Sequence, residues 1–227
     1  MTTQITKEDP GTGQTQVLAF KPKMRGVLHA ATVPLVVTAS IVVLVLAPTG
    51  QDKAAMAIYL AASICLFGNS ATYHLGRWSE KVVAVLRRLD HSNIYLFIAG
   101  TYTPLSVALL DGTSRVVILS VIWGIAAAGV LFRIFWLAAP RWLYTAMYLF
   151  MGWAAVWWLP EFWVSGGPTI VLLVAAGGVI YSIGAVVYAK CWPDPSPKWF
   201  GFHEIFHTCT VLAAACHFVA IALAILT

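Results

Sequence analysis

The chain has 227 residues, of which 60% are hydrophobic and only 10% are charged, and its formal net charge is +5. Its mean hydropathy is +0.81, which excludes an ordinary water-soluble domain. A helix needs about 20 consecutive apolar residues to cross the hydrocarbon core, so this composition predicts a multi-pass protein of the cell membrane.

Apolar segments of about that length recur along the chain. Residues 1–19 come first; they are polar and lack an apolar core, which predicts a disordered cytoplasmic tail and not a cleaved signal peptide. Residues 20–227 are predicted to form a single membrane domain. Its predicted helices are, in chain order, 26–49, 54–75, 89–110, 116–138, 142–159, 168–189 and 203–226. The expected fold is an all-α, seven-transmembrane helix bundle.

The basic residues predict the orientation of this bundle, because cytoplasmic flanks of membrane helices retain Lys and Arg. With the N-terminus in the cytoplasm, only Lys53 and Arg115 of the 14 basic residues fall on the outer side. The C-terminus is then outside. Membrane topology and contact with anionic lipid headgroups account for the positive net charge, so a nucleic-acid partner is not needed to explain it.

Ionisable side chains are costly inside a bilayer and are functional candidates by default. His74 lies near the end of the second predicted helix, and Asp90 lies in the first turns of the third. His203 and His207 lie in the first turns of the seventh helix. In the predicted topology all four share the cytoplasmic leaflet. Ser70 precedes His74 by one turn and shares its face of the helix.

These residue types favour a metal site. His203 and His207 are spaced i, i+4, so they share a helical face, and His74 would supply a third nitrogen. Three protein ligands leave the fourth tetrahedral position of zinc to water, whose pKa falls towards roughly 7. Asp90 would orient that water or accept its proton, and Ser70 would add a hydrogen bond. The sequence does not distinguish zinc from another divalent metal that accepts imidazole.

The other intramembrane histidines have a simpler interpretation. A single histidine in a membrane helix usually forms a hydrogen bond between helices, and we expect this of His29, His91 and His217. His217 lies about 15 Å along the helix from His207, too far to share a metal with it. Glu204 is about 100° around the helix from the histidine face. We expect it to lie in the polar first turn of the seventh helix, where its negative charge interacts favourably with the helix dipole.

Residues 203–207 also spell the H-E-x-x-H motif of zinc metalloproteases. Leu110-Asp111-Gly112 matches a second motif of membrane-embedded site-2 proteases, but there the aspartate follows the histidines, whereas here it precedes them. Asp111 is predicted in an external turn, a membrane's thickness from His203. The protease interpretation is therefore disfavoured.

Three stretches together resemble the hemolysin III family, within the progestin and adipoQ receptor superfamily: Ser70-x-x-x-His74, LDHSNIYLFIAGTYTP (89–104) and GFHEIFHTCTVLAAACHF (201–218). The resemblance covers about residues 20–226. It implies seven helices, an inside N-terminus and a zinc ion held by His74, His203 and His207 near the cytoplasmic leaflet. It also implies that Ser70 and Asp90 support a zinc-bound water. Eukaryotic relatives are associated with ceramide-type lipid amide hydrolysis.

The leading functional prediction is a zinc-dependent hydrolase of a lipid amide or ester, with Asp90 and Ser70 as catalytic residues. One alternative is a non-catalytic membrane sensor or homeostasis factor, in which zinc is a structural clip between the second and seventh helices. A pore-forming hemolysin is the other alternative. The expected partner is a membrane lipid, acting as substrate or ligand. The sequence predicts neither the identity of that lipid nor the oligomeric state.

Overall fold

The computed structural model describes residues 3–8, 15–20 and 22–227. Five helices in this described part are long and apolar enough to cross a membrane: Val27–Leu46, Gly50–Leu75, Gly112–Phe135, Arg141–Lys190 and Phe202–Leu226. Their outer surfaces expose large apolar side chains, such as Leu35 (71% exposed) and Val164 (86%). Exposed apolar surface on this scale needs lipid around it, so the chain is an integral membrane protein.

From residue 22 onwards we number the helices α1 to α7. They are α1 Val27–Leu46, α2 Gly50–Leu75, α3 Glu80–Leu109, α4 Gly112–Phe135, α5 Arg141–Trp153, α6 Leu159–Lys190 and α7 Phe202–Leu226. A π-helical turn, Ile64–Gly68, interrupts α2. A short 3-10 helix, Ala154–Trp158, joins α5 to α6.

Helix α3 begins at Glu80, earlier than the predicted start at residue 89. The prediction followed apolar residues, whereas the additional turns contain the charged residues Glu80, Lys81, Arg87 and Arg88. Ser79 has the extended backbone typical of an N-cap, and Glu80 lies in the first turn, where a carboxylate suits the helix dipole. The start of α3 therefore lies in a charged turn that hydropathy does not mark.

The predicted gap between the fifth and sixth helices, residues 160–167, is mostly helical. The chain runs from α5 through the 3-10 helix into α6, and its backbone leaves helical geometry at Gly167, where φ is 74°. Glycine adopts this conformation without steric cost, and Pro168 follows it with no N–H to donate. The break lies immediately before the predicted start of the sixth helix.

Helices α3 and α7 hold the bundle together. Helix α7 packs along α6 and also contacts α1 and α3, while α3 packs against α2 and α4. The core between these helices contains fully buried Met56, Tyr59, Tyr95, Ile122 and Ile221. Gly100 of α3 faces α2 so closely that a Cβ there would lie 2.6 Å from the Ala62 Cβ. This close approach packs the middle of α2 against the second half of α3.

Two short strands, β1 (Thr3–Glu8) and β2 (Thr15–Phe20), precede the helices and pair antiparallel. Over these two segments the structure differs from the predicted disordered tail, since Thr, Ile and Val favour extended backbone. Residues 1–2 and 9–14 of that predicted tail lie outside the described residues. A two-stranded hairpin by itself is marginally stable in water, so the stability of the fold comes mainly from the helices.

Candidate metal centre

His74, His203 and His207 come together in the interior, and we call them the histidine triad. All three are buried, and their candidate ligand nitrogens all lie within 4.8 Å of one another. The Nε2 atoms of His74 and His203 are 3.2 Å apart. Two nitrogens that each lie about 2.0 Å from a tetrahedral zinc ion are separated by about 3.3 Å. The donor set and its spacing therefore fit a metal with imidazole ligands.

The first turn of α7 fixes two members of the triad. The Phe202 amide donates to Asp194 Oδ1 at 3.1 Å, and the Gly201 amide donates to Glu204 Oε2 at 2.8 Å. These bonds satisfy amides that the start of a helix leaves without a partner. The i, i+4 spacing then turns His203 and His207 to the same buried face, as the sequence predicts.

The π-helical turn of α2 precedes His74, the third member of the triad, in the chain. Such turns shift the register of a helix and are frequent at functional sites. Here the Asn93 side chain of α3 donates to the Cys65 carbonyl at 2.7 Å. Ser70 and His74 follow this turn, and both are buried. Helix α3 therefore supports the part of α2 that carries His74.

Asp90 lies beside the triad. Its Oδ2 is 4.0 Å from His74 Nε2, and the Ser70 hydroxyl lies close enough to interact with its carboxylate. The Asp90 side chain is 15% exposed and lines an internal cavity together with Ser70, His203 and His207. The five residues predicted as site residues thus lie in one place, with a carboxylate facing both the imidazoles and the cavity.

The cavity has a volume of about 130 Å³ and runs along the inner face of α7. His203 lines it near the start of that helix, and His217 lines it fourteen residues later, about 21 Å along the axis. Between them the wall is mainly apolar, with Phe97, Ile98 and Leu149 among its side chains. The cavity is therefore an elongated apolar space with the triad at one end.

His29 contacts the triad in a way that the sequence does not predict. Its ring stacks on that of His207, with centroids 3.8 Å apart and planes 5° from parallel. Phe67 meets the same ring edge-on at 5.1 Å. Neither nitrogen of His29 has a hydrogen-bond partner among the described residues, so the predicted helix–helix hydrogen bond is wrong here. No sequence spacing links α1 to α7, and this contact depends on tertiary packing.

The other two histidines differ from each other. His217 Nε2 lies 3.1 Å from the Val174 carbonyl of α6, which confirms the predicted hydrogen bond between helices. His91 Nδ1 instead lies 2.8 Å from the Arg87 carbonyl of its own helix. The same prediction is therefore wrong for His91, because its ring bonds to a carbonyl one turn earlier in its own helix.

Glu204 occupies the first turn of α7 as expected, but it also has a partner that the sequence does not reveal. Its side chain is 1% exposed and forms an ion pair with Arg25, which precedes α1. Both carboxylate oxygens are therefore engaged, one by Arg25 and one by the Gly201 amide. Glu204 is not placed as the free base that a metalloprotease would require.

Asp111 is equally unsuited to the protease interpretation. It is the N-cap residue of α4, its side chain is fully exposed (100%), and it pairs with Arg115 at 2.9 Å. The residues that line the cavity beside the triad do not include Asp111. The predicted external turn is consistent with this exposed position.

Comparisons with known proteins agree with the motifs. A family model described as Haemolysin-III related matches residues 18–218. The chain is 32% identical over 152 residues to "Hemolysin-3 homolog" of Bacillus subtilis (strain 168), covering 66% of this chain and 71% of that protein. It is 32% identical over 140 residues to "Hemolysin-3" of Bacillus cereus, covering 62% and 64%.

A third relative is "Progestin and adipoQ receptor-like protein 1" of Caenorhabditis elegans. It is 27% identical over 191 residues, which cover 75% of this chain and 43% of the longer nematode protein. The Haemolysin-III match extends from before α1 into the second half of α7 and so includes every member of the triad. The chain belongs to the Haemolysin-III related family.

Proposed function

We propose that this protein is a zinc-dependent hydrolase that cleaves a lipid amide or ester, with zinc held by His74, His203 and His207. The observation that supports it best is the position of the triad, beside Asp90 and at one end of an apolar cavity. Within the described residues the group has three members, and three protein ligands are typical of catalytic zinc sites. A closed structural site has four.

Bound zinc would lower the pKa of a coordinated water towards roughly 7 and polarise the carbonyl of a substrate. Asp90 accepts the proton of the attacking water at its carboxylate and returns it to the leaving amine or alcohol as the acyl bond breaks. Ser70 lies beside that carboxylate and would keep it turned towards His74. The products are a fatty acid and an amine or alcohol.

The cavity supports a lipid as the substrate. It extends about 21 Å along α7, from His203 to His217, and its middle wall includes Phe97 and Leu149. Each buried CH₂ group of a lipid chain contributes about 0.8 kcal/mol of transfer free energy. A long acyl chain therefore lies along α7, and its carbonyl group is presented to the triad.

The proposal includes the membrane topology. The break at Gly167 divides the span Arg141–Lys190 into two crossings, and α3 supplies a further one. Seven crossings with a cytoplasmic N-terminus place the C-terminus outside the cell membrane. The triad then lies in the cytoplasmic leaflet, because the end of α2 and the starts of α3 and α7 meet there.

The decisive experiment measures zinc content and lipid hydrolysis on the same purified protein. The variants are Asp90→Ala and Asp90→Asn, and Asp111→Ala is the matched control because its side chain is exposed outside the cavity. A ceramide-type amide and a series of acyl esters serve as substrates. We expect about one zinc per chain throughout, and loss of about 10²–10⁴-fold in turnover only in the Asp90 variants.

Three other outcomes would lead to different conclusions. Full zinc occupancy without turnover on any of these lipids would reject the hydrolase and favour the structural clip. Protein that is purified with all three histidines intact but binds no zinc would reject both metal functions. Dye release from liposomes that persists in His203→Ala would favour a pore.

A further inference from the structure

An ion pair is buried next to the triad but has no part in the proposed reaction. It joins Arg25 Nε to Glu204 Oε1, and the two side chains are 2% and 1% exposed. Each charge would be costly to bury alone, so each depends on the other. The two residues are 179 positions apart in the chain. The pair therefore connects the segment before α1 to the first turn of α7.

On the α7 side, the pair is coupled to the backbone that carries His203. The second oxygen of Glu204 accepts the Gly201 amide at 2.8 Å, while the first accepts Arg25. His203 lies between these two residues in the chain. A rotation of the Glu204 carboxylate would break both contacts and release the first turn of the helix.

On the other side, the segment that carries Arg25 touches both helices of the triad. The Lys23 and Met24 amides donate to the Lys198 and Trp199 carbonyls at 3.0 and 3.2 Å, just before α7. Gly26 has φ 84°, and a Cβ at this position would lie 2.6 Å from the Cβ of His74. The segment therefore lies against the end of α2 as well as the start of α7.

We propose that Arg25 and Glu204 are positioning residues of the metal centre. Their ion pair holds the segment before α1 across both helices and so keeps the nitrogens of His74 and His203 at 3.2 Å. This explains a glutamate next to the first histidine of α7 that does not serve as the base. The inference rests on the proposed metal site, and it is independent of whether the site hydrolyses lipid.

The test is a Co²⁺ titration of the full chain in detergent, with the visible absorption of bound cobalt as the signal. Arg25→Met and Glu204→Gln should each weaken Co²⁺ binding by about 10–100-fold, as for other residues that orient metal ligands, and should alter the spectrum. Arg25→Lys retains the charge and should recover part of the affinity. Arg115→Met breaks an exposed pair and is the control that should bind like the parent.

The double variant Arg25→Met/Glu204→Gln tests whether the two residues affect Co²⁺ affinity through their ion pair or independently of each other. It leaves no lone buried charge, so its loss of affinity should be smaller than the product of the two single losses. Multiplicative losses would overturn the proposal. Parental affinity and spectrum in both single variants, with lower thermal stability, would also overturn it, because the pair would then stabilise only the fold.

If Arg25→Met fails to fold, Arg25→Lys and Glu204→Gln decide the question, since Arg25→Lys retains the positive charge and Glu204→Gln retains the shape of the side chain. A parent protein that binds no Co²⁺ would overturn the metal centre and this inference with it. A parent that binds Co²⁺ but hydrolyses no lipid would overturn the hydrolase alone.

Discussion

Removal of the metal should destabilise the folded protein. The triad joins α2 to α7, and without a metal it leaves three buried imidazoles side by side. His203 Nδ1 also has no hydrogen-bond partner among the described residues. An ion bound between the three nitrogens would connect the two helices directly, so zinc should bind the folded state and not the unfolded chain.

The size of the effect follows from mass action. A ligand that binds only the folded state adds about 2.7 kcal/mol to the free energy of unfolding at 100 times its Kd, and about 4.1 kcal/mol at 1,000 times. In a protein of this length each kcal/mol raises Tm by about 2–4 °C. Zinc at 100 times its Kd should therefore raise Tm by about 5–11 °C relative to chelated protein.

The assay is thermal unfolding in detergent, followed by the fluorescence of the 10 tryptophans, with zinc or with a chelator. His74→Ala, His203→Ala and His207→Ala should abolish the difference in Tm between the two conditions. His217→Ala is the matched control, because His217 bonds to the Val174 carbonyl and lies outside the triad. The reasoning is refuted if the triad variants retain the zinc-dependent shift, or if His217→Ala loses it equally.

Gly177→Ala would place a Cβ 2.3 Å from the His217 ring, so unfolding measurements should show a loss of about 1–3 kcal/mol, while zinc content should not change. Asn93→Ala removes the donor to the Cys65 carbonyl; we expect a loss of about 1 kcal/mol and weaker Co²⁺ binding, and unchanged binding would refute the role of the π-helical turn. Gly178→Leu adds a side chain to the cavity wall, where a Cβ meets only ordinary contacts; it should reduce hydrolysis of long-chain substrates more than short-chain ones, and an equal reduction would contradict the acyl-chain site.

The helices could largely be located from the sequence because membrane helices have a direct compositional signal. The exceptions occur where another force determines the boundary. Helix α3 begins at a charged turn, and the helical chain after α5 continues to Gly167 although the apolar pattern is interrupted. In both places local backbone chemistry matters more than hydropathy, and a search for apolar segments misses it.

The triad was predictable for a related reason. A histidine or carboxylate in an apolar helix is rare, so His74, Asp90, His203 and His207 stand out, and the predicted topology puts their helices at one depth. Arg25 does not stand out, because it lies in a polar flank where any basic residue can be explained by topology. Its buried position becomes visible only when the segment before α1 is seen packed against α7.

The two carboxylates near the triad show why the H-E-x-x-H motif does not define the chemistry. A general base must reach the space that the substrate occupies. Glu204 is 1% exposed, and both of its oxygens are engaged by Arg25 and the Gly201 amide. Asp90 lines the cavity and approaches the triad from a different helix. In the proposed reaction the base is on α3 and two of the metal ligands are on α7, so the substrate carbonyl would lie in the cavity that both helices line.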